Sequence, residues 1–585
     1  MAVDLAASTY SPLEPPLPKC GEEIGWTHLF GAGKSLAIAE AVKRHEGLVV
    51  VVVGDTNTAL KFTDEILFFD VGIQQYRMPD WEVLPYDQFS PYQDIISDRI
   101  STLSKLPSLT KGLVVVSIAT LMHRVVPRTW LSGEIFCLKR GDSLVCSKLQ
   151  TRLIHAGYRN VSQVLDHGDF AIRGSIVDVF PMGALNPFRI DLFDEEIETL
   201  RVFDAESQRS IEEVESLTLM PARETPLNDA AIARFKRNWR LSFAGLPTKS
   251  PIYNDISGGL APAGIEYYLP LFFDHLDTLF DYIPSDSLIF VDEELEAGAT
   301  RFREAVNDRY EQLRYDMERP ILPPDRMFLN LEDVLESLKM YPRTHLSSLD
   351  LGENEKNFRF NTRAGAKLTI DGHAASPLRL VLSFLKNYDG RVLFLADSNG
   401  RRETMLELFN SNNIRPKFFG SWEDFLNGTD TVGLAVASLS EGVELVNPAI
   451  CLVTEFQLFG ERALQRRRRR TRLDKDSIIK SLAELQLGSP VVHEDHGIGR
   501  YRGLEVLTIG STENEFIKLE YADGDKLYVP VASLNLINRY SGVDPAHAPI
   551  HKLGSGQWER AKKRATKCIY DVAAELLEVH ARREA

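Results

Sequence analysis

With 585 residues the chain exceeds what one hydrophobic core supports, and about four or five domains are expected. No apolar run approaches the ~20 residues that span a bilayer, and the N-terminus lacks the charged-then-apolar order of a signal peptide, so a cytoplasmic protein with no membrane partner is expected. The formal charge of −16 excludes a general nucleic-acid coat, because phosphate binding rests on clustered Lys and Arg, and any DNA contact has to be local.

After a proline-rich lead (1–24), "HLFGAGKSLAIAEAV" from His28 to Val42 reads as a phosphate-binding loop opening a helix. Such a loop needs Gly-x-x-x-x-Gly-Lys-Ser/Thr, so that backbone amides curl round phosphates while the lysine reaches their outer oxygens. Gly33, Lys34 and Ser35 fit, but His28 stands where the first glycine belongs and Phe30 puts a ring in the middle of the loop. The motif is damaged. Ser35 to Arg44 is then expected as helix, "GLVVVVVGD" (Gly47 to Asp55) as a strand buried on both faces, "NTALKFTDEILFF" as helix and "GLVVVSIATLM" from Gly112 as a second buried strand. This alternation predicts a parallel, RecA-type α/β layer over 25–126.

From 127 to 213 the texture changes. "GDFAIRGSIVDVFP" and "PFRIDLFDEEIETLRVFD" alternate apolar and polar residues, as antiparallel strands with one face on a core do, and predict an inserted α+β domain. A mixed stretch follows (214–349), where "LIFVDEE" sets Asp292 and Glu293 after a strand. Residues 350–458 return to strand–helix–strand order and predict a further, separate α/β domain. The basic stretch 459–480 carries Arg466, Arg467, Arg468, Arg469 and Arg470; it reads as a solvated linker or as a segment that contacts DNA or a partner. Over 481–548 the pattern is all-β, with Asp523-Gly524 marking a hairpin turn, and a small barrel is expected. Residues 549–585 form a long helix by pattern, with Trp558, Ala561, Ala565, Ile569, Val572, Leu576 and Val579 on one stripe. The five cysteines (Cys20, Cys137, Cys146, Cys451 and Cys568) are scattered without CxxC spacing, which argues against a disulfide framework or a zinc site. His493 and His496 flank a strand end rather than a helix face, so no metal is expected there either.

Taken in order, "DWEVLPYDQFSPYQDIISDRISTL", "RGSIVDVFPMG", "LFDEEIETLRVFDAESQRS", "ILPP", "GSPVVHEDHGIGRYRGL" and "KLYVPVASLNLINRYSG" resemble the N-terminal half of the bacterial transcription-repair coupling factors. The resemblance implies a degenerate RecA-like UvrB-homology module with its inserted domain, a further α/β domain, a Tudor- or CarD-like barrel that binds RNA polymerase, and a connector helix leading to a DNA translocase. It places ATP, magnesium and most DNA contact in that motor, before which this chain stops, and leaves this chain a monomer without a cofactor. Gly33, Lys34, Ser35, Asp292 and Glu293 are then remnants of a nucleotide site, because no downstream segment offers the arginine that a second RecA half supplies. The aromatic hairpin with which UvrB clamps damaged DNA has no room between "YDQFSP" and "YQDIISDRI".

In the inserted domain Arg173, Arg189 and Phe193 match positions that UvrB-like domains use to bind UvrA, and strand arginines beside an aromatic suit a hot spot. The alternative is that both arginines only pair with Asp191, Asp194 or Glu195 on a solvated face. In the barrel "LEVLTIG" (Leu504 to Gly510) is a short apolar strand able to extend another protein's sheet; by resemblance its partner is the polymerase β subunit, with Val506, Leu507 and Ile509 as contacts. The alternative there is ordinary barrel core. The expected function is an adaptor that grips stalled RNA polymerase and recruits UvrA; a UvrB-like nucleotide-driven damage-recognition protein and a CarD-like transcription regulator are the alternatives.

Overall fold

Six consecutive apolar residues, Leu48–Val53, cannot alternate between core and solvent, so both faces of their strand have to be covered. In the computed structural model all six are buried; Val49, Val51 and Val53 join one apolar cluster, and Leu48, Val50 and Val52 another. The structure describes residues 9–205, 208–350, 356–370, 377–460, 488–493, 496–509, 512–530, 537–539 and 550–553. They fall in two compact units, Met1–Arg462 and Ala463–Ala585. The arginines at 466–470, nearly all of the linker, and the apolar stripe from Trp558 to Val579 lie outside the described residues.

Leu48–Val53 sits inside a seven-stranded sheet whose pairings are all parallel. Across the sheet run Asn357–Arg359, Glu23–Thr27, Arg343–Leu346, Leu288–Asp292, Leu48–Val53, Gly112–Ser117 and Gln75–Arg77. The chain therefore leaves the sheet after Ser117 and returns to its middle at Leu288. Helices Gly33–Arg44 and Thr56–Phe69 follow the first two of these strands in sequence and pack on one face. Between Arg77 and helix Gln93–Lys105 no strand is described; Trp81 and Tyr86 from this stretch are buried against Tyr267.

The inserted segment forms a six-stranded sheet in nearly sequential order: Arg159–Asn160, Asp169–Arg173, Ile176–Val179, Phe188–Phe193, Glu196–Phe203 and Ser210–Glu213. All pairs are antiparallel except the first. Its Phe170, Val177, Val179, Ile190 and Leu200 merge with the apolar cluster that covers Val50 and Val52, while Val164, Ala171, Phe180 and Phe203 form a small cluster of the insertion's own.

A second mixed sheet runs Thr362–Ala364, Val443–Leu445, Ile450–Thr454, Arg391–Ala396, Val432–Val436 and Lys417–Phe418. The chain changes sheets between Arg359 and Thr362, later than the sequence boundary at 349/350, because Asn357–Arg359 pairs beside Glu23–Thr27. This domain has its own sheet but not a wholly separate core: Leu393, Trp422, Phe425, Val443 and Leu452 share a cluster with Trp26, Leu36, Ile66 and Phe69.

In the second unit five antiparallel strands lie in the order Lys526–Pro530, Thr512–Glu520, Gly497–Ile509, Pro490–His493 and Ile537–Arg539. Asp523, with φ of 63°, makes the turn between Thr512–Glu520 and Lys526–Pro530, as its Asp-Gly pair led one to expect. No described pairing joins the two outer strands. Val491, Tyr501, Ile517, Leu519 and Ile537 form its core.

The insertion is locked to its host by one buried ion pair. Arg99, on helix Gln93–Lys105, donates from Nε to Glu224 at 3.0 Å and from Nη1 to the Pro79 carbonyl at 3.0 Å; both charged side chains are 1% exposed. Glu224 follows the last strand of the inserted segment, Ser216–Leu219. Truncating one member of such a pair leaves the other charge buried and uncompensated, so Glu224→Ala is expected to destabilise the first unit by about 3–5 kcal/mol. Denaturant unfolding measures this; a loss below about 1 kcal/mol would show the pair to be dispensable.

Candidate functional site

The loop before helix Gly33–Arg44 has its donors engaged from three directions. Leu29 N–H donates to the Ser347 carbonyl (3.3 Å), Phe30 N–H to Thr362 Oγ1 (3.2 Å) and Ala32 N–H to the Glu441 carbonyl (3.1 Å). Gly33 and Lys34 N–H donate back to the Phe30 and Gly31 carbonyls. Thr362 and Glu441 belong to the second sheet's domain, which lies directly on the loop. Gly31 has φ of 45°, and a Cβ there would collide with the Gly442 carbonyl oxygen, so only glycine fits this approach. His28 tolerates φ of 57° and pairs through Nε2 with Asp350 at 2.9 Å.

Folding brings Lys34, Asp292 and Glu293 together. Lys34 Nζ lies 2.6 Å from Glu293 Oε1 and 3.5 Å from Asp292 Oδ1, and its side chain is 13% exposed. Burial pushes the Asp292 carboxyl above the usual range, against the pull of Lys34. Burial acts in the same sense on Glu293, but hydrogen bonds from Lys34 and Ser348 outweigh it and hold that carboxyl low. Ser35 turns elsewhere: fully buried, it donates from Oγ to Glu65 Oε2 at 2.5 Å, while Glu65 Oε1 accepts the Ser440 amide at 2.9 Å. The groups that would face a triphosphate are thus held by the protein's own carboxylates and carbonyls.

On the inserted sheet, side-chain alternation gives one face to the core. The other carries Arg173, Ile176, Asp178, Arg189, Asp191, Phe193, Thr199 and Arg201, as the cross-strand register requires. Arg173 and Arg189 do meet, through a residue the sequence reading passed over. Asp178, whose side chain is 1% exposed, accepts from Arg189 Nε (2.7 Å) and Nη2 (3.0 Å) and from Arg173 Nη2 (3.3 Å). This corrects the expected alternative: the arginines pair with Asp178 rather than with Asp191, Asp194 or Glu195. Asp191 is instead taken by Arg201 and by Thr199 Oγ1, and Asp194 turns the hairpin with φ of 54°. The Asp178 carboxylate holds the Arg189 guanidinium above its ordinary range, and that guanidinium also lies 4.7 Å from the Phe203 ring. Arg189 is mostly covered, Arg173 is half exposed, and Phe193 is 71% exposed at the hairpin end.

In the second unit Leu504–Ile509 pairs on one side with Thr512–Ile517. Pro490–His493 reaches only as far as Arg500 on the other side, so no described strand covers that margin beyond it. The side chains of Val506, Leu507 and Ile509 lie outside the description. His493 and His496 pack with ring centroids 4.7 Å apart and planes tilted by 41°, and no group of three metal-ligating side chains occurs among the described residues.

Glu65, Ser440, Gly442 and Asp178 were the residues missed. Only Asp178 left a trace in the sequence: in "SIVDVFP" it is the polar residue opposite Val177 and Val179, but its arginine partners depend on strand register.

Three family models match the chain: the UvrB interaction domain over residues 136–224, the MFD D3 domain over 384–458 and the CarD-like/TRCF RID domain over 485–541. The transcription-repair-coupling factor of Escherichia coli is 41% identical over 570 residues, covering 97% of this chain and 49% of that protein. That of Haemophilus influenzae is 41% identical over 94% of this chain and 48% of its own length, and that of Myxococcus xanthus 29% identical over 97% and 50%. The chain spans about half the length of these relatives. With the three domain models in the expected order around the sheets described above, the chain belongs to the transcription-repair coupling factor family, over its N-terminal region.

Proposed function

We propose that this chain is the adaptor part of a transcription-coupled repair factor, recruiting UvrA through the inserted sheet and holding the β subunit of RNA polymerase through the margin at Leu504–Ile509. The observation that carries the first contact is the pairing of a buried carboxylate with two arginines on the sheet face that also carries a 71% exposed phenylalanine. Asp178 fixes Arg173 in place before any partner arrives, which lowers the ordering cost of binding, and Phe193 supplies the apolar anchor. Arg189 acts mainly by positioning. For the second contact, a strand margin that no described strand covers offers main-chain donors and acceptors to a partner's sheet, with alternate side chains giving specificity.

The loop at Lys34 serves, in this proposal, as a structural joint without nucleotide. The amides of Leu29, Phe30, Ala32, Gly33 and Lys34 and the Lys34 side chain already have partners, and Gly31 is sealed by the Gly442 carbonyl. ATP-driven movement on DNA is then a property of residues beyond this chain.

Four measurements test the proposal. Arg173→Glu with Phe193→Ala is expected to abolish capture of purified UvrA at some cost in stability, because a second carboxylate would face Asp178, whereas the exposed Phe193→Ala alone should weaken capture with an unchanged melting curve; undiminished capture by both would reject the surface. Arg189→Ala should lose capture and also about 3 kcal/mol of stability, because Asp178 is left half-paired. Leu507→Arg is expected to abolish polymerase binding while the chain still melts as wild type; unfolding would assign Leu507 to the core instead. Equilibrium titration with labelled ATP and magnesium is expected to give no saturable binding, and stoichiometric binding that disappears in Lys34→Ala would overturn the joint.

A further inference from the structure

A groove of about 510 Å³ opens between helix Arg128–Glu134, helix Cys146–His155 and the segment Pro221–Asn228. Helix Cys146–His155 turns Leu149 and Leu153 into the core, and Lys148, Thr151, Arg152 and His155 recur at helical spacing along its other side, where they line the groove. Arg223 completes it from the opposite wall. Glu134 is the one carboxylate among the lining residues, so three fixed positive charges and a histidine meet a single acid in a chain whose formal charge is −16.

These cations are uncommitted. Among the described residues Lys148, His155 and Arg223 form no ion pair or side-chain hydrogen bond, and Arg152 only stacks its guanidinium 3.4 Å from the Phe136 ring centroid. Arg223 is half-buried, and burial pushes its guanidinium below the ordinary range despite the attraction of Glu266. A desolvated guanidinium that no carboxylate holds by a hydrogen bond is costly even with Glu266 in range, and an arriving anion lowers that cost.

We propose that this groove binds the phosphodiester backbone of duplex DNA. Lys148 and His155 are seven residues apart, about 10 Å along the helix axis, a span over which one DNA strand presents about three phosphates. Thr151 adds a hydroxyl of the kind that contacts phosphate oxygens. A single strand would call for open aromatic faces on which to stack bases. Here one face of Phe136 is taken by Arg152, and Trp130 packs edge-on against Phe273. The site is distinct from the proposed UvrA surface: Leu149 and Leu153 join the cluster that covers the core face of the inserted sheet, whereas Arg173 and Phe193 lie on its other face.

Fluorescence anisotropy with the 585-residue chain and a fluorescein-labelled blunt duplex tests this. Binding that weakens with salt is expected; Lys148→Glu with Arg152→Glu, both exposed positions, should weaken it at least about tenfold at low salt and reduce the log–log salt slope by about 2. Arg223→Gln should reduce the slope by about 1, and Lys148→Gln with Arg152→Gln provides the charge-neutral check if the reversal perturbs melting. Arg173→Glu with Phe193→Ala should leave DNA binding unchanged. No binding by the wild type, unchanged binding by the groove variants, preference for single strands, or equal displacement by polyglutamate of matched charge would each overturn the proposal.

Discussion

The carboxylate of Glu65 is the contact on which the arrangement of the first unit turns. It is 6% exposed and has one oxygen on Ser35 Oγ and the other on the Ser440 amide. A buried carboxylate missing either donor would pay a full desolvation penalty, so helix Gly33–Arg44, helix Thr56–Phe69 and the chain entering Val443–Leu445 have to be in place together. From this follow the shared apolar cluster under Trp422 and the seating of Glu441 and Gly442 on the loop at Gly31. A loop of phosphate-binding type has thereby become a buried seam between two sheets.

Three charged groupings recur as positioned pairs in the first unit. Arg99 and Glu224 tie the insertion to its host, Lys34 bridges Asp292 and Glu293, and Asp178 holds Arg173 and Arg189. Each places a charge where water is scarce, so geometry is tightly set there. The exposed end of the Asp178 pair differs from the others, because Arg173 stays half in solvent on the face that carries Phe193 and remains able to meet a partner. The groove at Lys148 and Arg223 differs again, since among the described residues no carboxylate forms an ion pair with either.

Local sequence decided the elements. The runs Leu48–Val53 and Gly112–Ser117 had to be doubly covered strands, the alternation through "SIVDVFP" and "FRIDLF" had to give a one-sided sheet, and Asp523-Gly524 had to turn a hairpin; each rule depends only on near neighbours. Composition also limited any positive site to a local one, and the damaged Gly-Lys-Ser loop was readable from His28 and Phe30 alone. What only the tertiary structure decided was which distant residues meet. Strand Leu288–Asp292 inserts beside Leu48–Val53, Asn357–Arg359 joins the first sheet rather than the second, Asp178 displaces the nearer acids as partner of both arginines, and Ser440 to Gly442 close over the loop. Those outcomes depend on strand register and on packing between segments hundreds of residues apart, where burial and the need to satisfy every buried polar group select one pairing among many that local patterning allows equally.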